Sequence, residues 1–337
     1  MPMQNTKLIM VEGLPGSGKS TTAQLISHLL QRRGCSTKWW YEEEQGHPVY
    51  VYDDLKSMQK IIDELSCGNY RKVIAMALKR WTEFAASVQS SSDTIIVDSC
   101  LFGYLTWSLF PFEVPKQEIM QYVKEVERII EPLNPYVIYF YQNDIEAALK
   151  KICTRRGGDT EKNFVRAATQ SPYGKSRGLN GFEGMVAYWQ DYRGITDEAF
   201  QGLICAKIAI DNSEGNWSQY GSEISRFLGI DHRDEASLVQ LQLMDQQNQQ
   251  HLVGDYMAET ETDGSLTCSI QFESGNLITD GLPQVWTKSK LIPKSPNVFE
   301  VQSLPFQVSF VEDDGIRMYL TGPVLLDGPV DYKFIKK

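Results

Sequence analysis

Eight residues near the amino terminus, Gly13 to Ser20, read GLPGSGKS and match the pattern G-x-x-x-x-G-K-S. Gly13, Gly16 and Gly18 let the chain curl tightly enough to aim successive backbone N–H groups at one anion, which residues carrying Cβ atoms would prevent. In such a loop Lys19 reaches the β- and γ-phosphates of a nucleotide and Ser20 sets its hydroxyl on Mg2+. Ser17 and Thr21 complete the nucleotide-contacting stretch. The surroundings agree: apolar Leu8–Val11 precede the loop, and Leu25, Ile26, Leu29 and Leu30 make a stripe behind it. A helix from Lys19 to Arg33 would turn its positive end toward the same anion.

Other residues could act on that phosphate chain. Asp98 closes the apolar run TIIVD, where a carboxylate can hold a metal-bound water opposite Ser20. The segment Lys150–Gly184 has the composition of a mobile basic lid. Arg155 and Arg156 precede the hinge pair Gly157 and Gly158, and Arg166, Lys175 and Arg177 follow. Arginines there can stabilise charge on a transferring group, and a solvated helix pair with a flexible loop is the alternative. The second apolar run ends WYEEEQGHP. Glu42 and Glu44 project from one face if the strand persists, and either could take a proton from a hydroxyl or be a solvated acid. His47 lies in a turn where it could meet substrate. The stretch FGYLTWSLFPF, Phe102 to Phe112, could line an acceptor pocket with Tyr104, Trp107 and Phe110, or pack as core.

The elements that must carry these residues are legible as alternating short apolar runs and longer helical patterns. The runs are Lys7–Glu12, Thr37–Glu43, Thr94–Asp98, Tyr136–Gln142 and Ile204–Asp211. Near-continuous apolar strands separated by helices indicate a parallel sheet covered on both faces. In Pro115–Glu131, Ile119, Tyr122, Val123, Val126, Ile129 and Ile130 recur at helical spacing, and Pro132 and Pro135 stop the helix. The pattern changes after Ile230. Residues 1–232 read as an α/β domain, 233–251 as a Gln-rich helix and linker, and 252–337 as a small antiparallel all-β barrel or sandwich. In the last, SLTCSIQF alternates with Leu266, Cys268, Ile270 and Phe272 on one face, and VSFVEDDGIRMYL is a hairpin around Asp-Asp-Gly.

The chain of 337 residues is 42% hydrophobic, ample for two cores, and its formal charge is −10. That charge argues against nucleic-acid binding, which basic patches carry, while a local Arg/Lys cluster can still hold a small anion. The six cysteines are dispersed without a C-x-x-C pair, which fits reduced thiols rather than a metal cluster or a disulfide framework. MPMQNTK leads directly into an apolar strand with no secretory leader pattern, and no apolar run approaches the roughly 20 residues of a membrane span. The expectation is a cytoplasmic protein without a membrane partner.

GLPGSGKSTTAQLISHLLQRRG closely resembles the opening of thymidylate-kinase-like and nucleoside-kinase-like P-loop enzymes. YVIYFYQNDIEAALKKICTRRG is similar to their fourth strand and the helix entering an arginine-bearing lid, and AIDNSEGNWSQYGSEISRFLGI to their fifth strand, adenine-side loop and last helix. The paired acids followed by His-Pro also resemble bacterial P-loop proteins of no assigned activity. The resemblance, over roughly residues 7–230, implies a P-loop NTPase fold with a five-stranded parallel sheet of order 2-3-1-4-5, and ATP with Mg2+. It implies an acceptor-side acid matched by Glu42 or Glu44, a lid arginine matched by Arg155 or Arg156, and an adenine-side loop matched by Asp211, Asn212 and Ser213. Where those families carry Asp-Arg or Glu-Arg-Ser after the third strand, this chain has Asp98-Ser99-Cys100. Thymidine monophosphate and deoxynucleosides therefore do not follow as acceptors. The expected activity is a kinase passing the γ-phosphoryl group of Mg·ATP to a hydroxyl or phosphate of a small molecule, a nucleoside or nucleotide among the candidates, with a nucleotide-dependent regulatory ATPase or switch read by the β domain and a non-turning-over scaffold as alternatives. Ligand binding, homodimer formation and covering of the active site are all roles open to the β domain.

Overall fold

The computed structural model describes residues 5–230, 249–259 and 266–337. The chain forms two compact units, Met1–Glu42 with Gly46–Ile230, and Glu43–Gln45 with Asp231–Lys337.

The first unit is a parallel sheet of order β2-β3-β1-β4-β5. Its strands are β1 (Leu8–Gly13), β2 (Thr37–Trp40), β3 (Thr94–Asp98), β4 (Tyr136–Tyr141) and β5 (Ala206–Asp211). Leu8, Ile9, Met10 and Val11 of β1 are each 0% exposed. A central strand buried on both faces has no solvent side to alternate toward, which is why this run reads as continuously apolar. Register places Asp98 opposite Val11 and Asp211 opposite Tyr141, so candidate acids gather at the carboxyl edge. The chain crosses to β3 on one side of β1 and to β4 on the other. Such a reversal opens a crevice beyond the carboxyl ends of the strands.

The helices of this unit are α1 (Lys19–Arg32), α2 (Leu55–Ser66), α3 (Tyr70–Ser90), α4 (Phe102–Trp107), α5 (Lys116–Ile130), α6 (Ile145–Arg156), α7 (Thr160–Thr169), α8 (Pro172–Ser176), α9 (Gly181–Gly202) and α10 (Trp217–Leu228). The apolar stripe of α5 buries Ile119, Tyr122, Val123, Val126 and Ile130. Each such side chain contributes about 2 kcal/mol by leaving water. Trp81 of α3 donates Nε1–H to the buried Tyr122 hydroxyl at 3.1 Å, so both polar tips are satisfied inside the core. Asp54 starts α2 with a capping box, its carboxylate accepting from Ser57 N at 2.6 Å, and Asp144 starts α6 by accepting from Ala147 N at 2.9 Å. Among the described residues no helix is long and apolar enough to cross a membrane.

The second unit is a closed eight-stranded antiparallel barrel, β6 (Gly254–Ala258), β7 (Thr267–Glu273), β8 (Asn276–Asp280), β9 (Ser289–Ser295), β10 (Val298–Val301), β11 (Gln307–Asp313), β12 (Gly315–Thr321) and β13 (Asp331–Lys336). Each strand pairs with its neighbour in sequence, and β13 returns to β6, which removes every open edge. A barrel of this size is just wide enough for side chains to fill. Cys268, Ile270, Phe299, Met318 and Phe334 do so, each no more than 4% exposed. The expected hairpin is β11–β12, with Asp313 paired to Gly315. Most of the segment read as helix and linker lies outside the described residues. Residues 43–45 join this unit: Gln45 N donates to Val324 O and Leu326 N to Glu43 O, at 2.9 and 3.0 Å.

Candidate functional site

The phosphate loop follows β1 and its glycines are sterically required. Gly18 caps α1 at φ 95°, and an added Cβ would lie 2.0 Å from the Trp217 ring. A Cβ on Gly13 would lie 2.5 Å from the Phe140 carbonyl oxygen. Gly18 at the start of α1 brings no side-chain cap, and the helix's positive end faces the loop. Lys19 is 7% exposed and donates from Nζ to Leu14 O at 3.2 Å. Ser17 is fully buried, and its Oγ meets no partner among the described residues. The loop after β5 is tied to the phosphate loop by Asn212, whose Nδ2 donates to Ser17 O at 2.6 Å. Asp211 shapes that loop, accepting from Ser213 N at 2.9 Å and from Asn143 Nδ2 at 2.7 Å.

Asp98, at the end of β3, is fully buried. Trp39 donates Nε1–H to its Oδ1 at 3.3 Å, while Oδ2 has no partner among the described residues. Burial foremost, then the neighbouring Glu42 carboxylate, push the Asp98 carboxyl well above the ordinary carboxylate range, and the Ser20 hydroxyl, the Lys19 ammonium and Trp39 act against them. An orphaned carboxylate oxygen beside a second acid and the loop serine is the donor set a small hard divalent cation takes. Asp98 and Ser20 thus fit Mg2+.

Glu12, the last residue before the loop, is a second buried acid, one that no motif marks. Its carboxylate accepts from the backbone N–H groups of Leu101, Phe102 and Gly103 at 2.7, 3.1 and 3.3 Å. It therefore pins the segment after β3 to the central strand. A lone charge inside LIMVEG was the available signal, since ions are buried only with partners.

A cavity of about 720 Å³ opens beside the phosphate loop, walled by Gly13, Lys19, Glu42, Trp107, Arg156 and Trp189 among others. Lys19, Glu42 and Arg156 thus meet at one space, whereas Arg155 is not among its wall residues. Glu44 takes a different position from the one expected of it. β2 ends at Trp40, so Glu42 and Glu44 do not share a strand face, and Glu44 pairs through its backbone with Leu325 in the second unit. His47 is core: it is 1% exposed and stacks on Tyr50 at 4.2 Å. Burial first, then Lys38, push its pKa down to about 3, leaving the ring neutral. The aromatic segment divides. Trp107 and Phe112 wall the cavity, whereas Tyr104 and Phe110, at 1% and 2% exposure, are core. Ser99, standing where the resembled families carry arginine, also reaches the cavity and holds a left-handed backbone, φ 60°, a conformation that costs a non-glycine residue roughly 1–3 kcal/mol. Trp39, Trp189 and Trp217 were not singled out beforehand, because a tryptophan in sequence looks the same in a core as in a site.

No protein-family model and no curated protein sequence matches the chain. Two solved structures to which it is similar are that of a protein named APE1195 and that of a thymidylate kinase from Ehrlichia chaffeensis. The first is 17% identical with a TM-score of 0.33, over 68% of this chain and 98% of the other. The second is 12% identical with a TM-score of 0.40, over 66% and 99%.

Proposed function

We propose that this protein is an ATP-dependent phosphotransferase that moves the γ-phosphoryl group of Mg·ATP to a hydroxyl of a small molecule. The observation that carries the reading is the single cavity whose wall holds the phosphate-loop lysine, an acid and a lid arginine together. Phosphoryl transfer requires positioning and positive charge more than covalent chemistry by the protein, and these three groups supply both. The phosphate loop and the start of α1 hold the β- and γ-phosphates, with Lys19 on the transferring group. Asn212 and Asp211 keep the adenine-side loop closed against the phosphate loop. The acceptor oxygen forms a bond to the γ-phosphorus as the bond to the β,γ-bridging oxygen breaks. Glu42 takes the hydroxyl proton, ADP carries away the bridging oxygen, and Arg156 stabilises charge spread over the equatorial oxygens. Mg2+ held by Ser20 and Asp98 would neutralise the polyphosphate.

ADP release from Mg·ATP, alone and against a panel of nucleosides, nucleoside monophosphates and hydroxyl-bearing antibiotics, tests the reading. Stimulation by one compound, abolished in Lys19→Ala, is the expected result. Steady release that no acceptor alters would replace a kinase with a nucleotide-dependent switch.

A further inference from the structure

The walls of the acceptor cavity are chemically unlike at their two ends, and the difference bears on what the acceptor looks like. At the reacting end stand the phosphate loop and Glu42. An accepting phosphate dianion would have to sit against the Glu42 carboxylate there. A neutral hydroxyl would not, and it is the group that a carboxylate base serves.

The far end is built by α8. Tyr173 N donates to Pro111 O at 2.9 Å and Arg177 pairs with Glu113 at 2.5 Å, which anchors α8, and Lys175 lines the cavity together with Pro111 and Phe112. The opposite tie is at α6: a Cβ on Gly16 would lie 2.9 Å from Ile152, so Arg156, one turn on, belongs to the phosphate-loop end. α7 runs between the two, from Phe164, whose ring lies 5.9 Å from the Arg156 guanidinium, to the turn where Ser171 Oγ accepts from Gly174 N at 3.0 Å.

Arg177 is neutralised by Glu113, but the two cations that line the cavity here are not paired with any carboxylate among the described residues. Arg166 donates only to the neutral Asn163 Oδ1, at 3.1 Å, and Lys175 has no ion-pair partner among them. Guanidinium and ammonium are donors with no acceptor capacity, so an electron-rich group is what satisfies both. Trp107, Phe112 and Tyr188 line the same cavity, and such aromatic walls suit a flat apolar body.

We infer that the acceptor carries an anionic group, a carboxylate or a phosphate monoester, on the end remote from its reacting hydroxyl, and that Arg166 and Lys175 hold it. This rests on the proposed transfer reaction and narrows its substrate class to hydroxyl-bearing anions with a planar or apolar middle.

The test uses three probes of one shape on the full chain saturated with Mg·ADP: 2-naphthoate, 2-naphthyl phosphate and the uncharged 2-naphthamide, each titrated by calorimetry. Both anions should bind at least ~10-fold more tightly than the amide, the scale of a charge-assisted hydrogen bond. That preference should vanish in Arg166→Gln/Lys175→Gln, with amide affinity unchanged; both positions are exposed, so the fold survives. Phosphate binding tighter than carboxylate identifies a phosphate monoester, and parity a carboxylate. Equal affinity for all three probes, no binding of any, or a preference that persists in the double variant overturns the inference. A preserved anion preference in a protein that transfers phosphoryl to nothing would instead remove the kinase reading and leave the anion site standing.

Discussion

Replacing Glu12 by glutamine should change how the first unit's stability depends on pH. Glu12 is fully buried, and burial pushes its carboxyl from 4.5 up to about 7, against the pull of the Leu101, Gly103 and Phe102 N–H groups and of Lys19. An acid whose pKa is raised on folding binds its proton more tightly in the folded state. Its favourable contribution is complete below the unfolded value near 4.5 and is lost as pH rises through 7. At about 1.4 kcal/mol per pH unit, the loss is roughly 3 kcal/mol. The substituted amide carries no charge at any pH, so wild-type stability minus that of Glu12→Gln should fall by this amount between pH 4.5 and about 8. Asp98 titrates over part of the same range but is common to both proteins and cancels. Urea unfolding followed by tryptophan fluorescence reports on the right unit, because of seven tryptophans only Trp286 belongs to the barrel. A flat difference, or one that favours the wild type increasingly at high pH, would refute the reasoning. It would mean that three backbone donors outweigh burial and hold the group as an anion.

Gly18→Ala puts a methyl group 2.0 Å from the Trp217 ring at φ 95° and should weaken Mg·ATP binding at least tenfold by calorimetry, with Trp217→Ala restoring only part, since left-handed strain of ~1–2 kcal/mol remains. Asn212→Ala leaves the Ser17 carbonyl without its donor, a cost of ~1–3 kcal/mol, and should raise the dissociation constant of Mg·ATP about tenfold; an unchanged constant would free the loop after β5 from the nucleotide site. His47→Phe removes two buried ring nitrogens that lack partners among the described residues and should leave stability unchanged or raise it by about 1 kcal/mol, with transfer unaffected. Loss of transfer in that variant would return His47 to the site.

What could be read beforehand, and what could not, follows from the range over which each signal acts. The phosphate loop was legible because its glycines answer to local backbone geometry: Gly13, Gly16 and Gly18 all have positive φ, at 145°, 77° and 95°. The run Thr94–Asp98 was delimited to the residue because β3 is buried from its second residue on and ends on an acid. β2 was overextended to Glu43, since nothing in WYEE marks where pairing with β3 stops at Trp40. That error alone made Glu42 and Glu44 look equivalent. Glu12, Trp39 and Trp217 escaped notice because their partners, at Leu101–Gly103, Asp98 and Gly18, are far away in sequence and appear only when the strands stand side by side.

The most direct test of the account is the fate of the γ-phosphoryl group. With γ-labelled ATP, Mg2+ and hydroxyl-bearing anions, the label should move to the acceptor's hydroxyl oxygen in the wild type. It should fail to move in Lys19→Ala, and in Glu42→Gln its transfer should slow by about 10²-fold or more, the scale of a lost general base. Label released only as inorganic phosphate, at a rate indifferent to every acceptor and to Glu42, would contradict it.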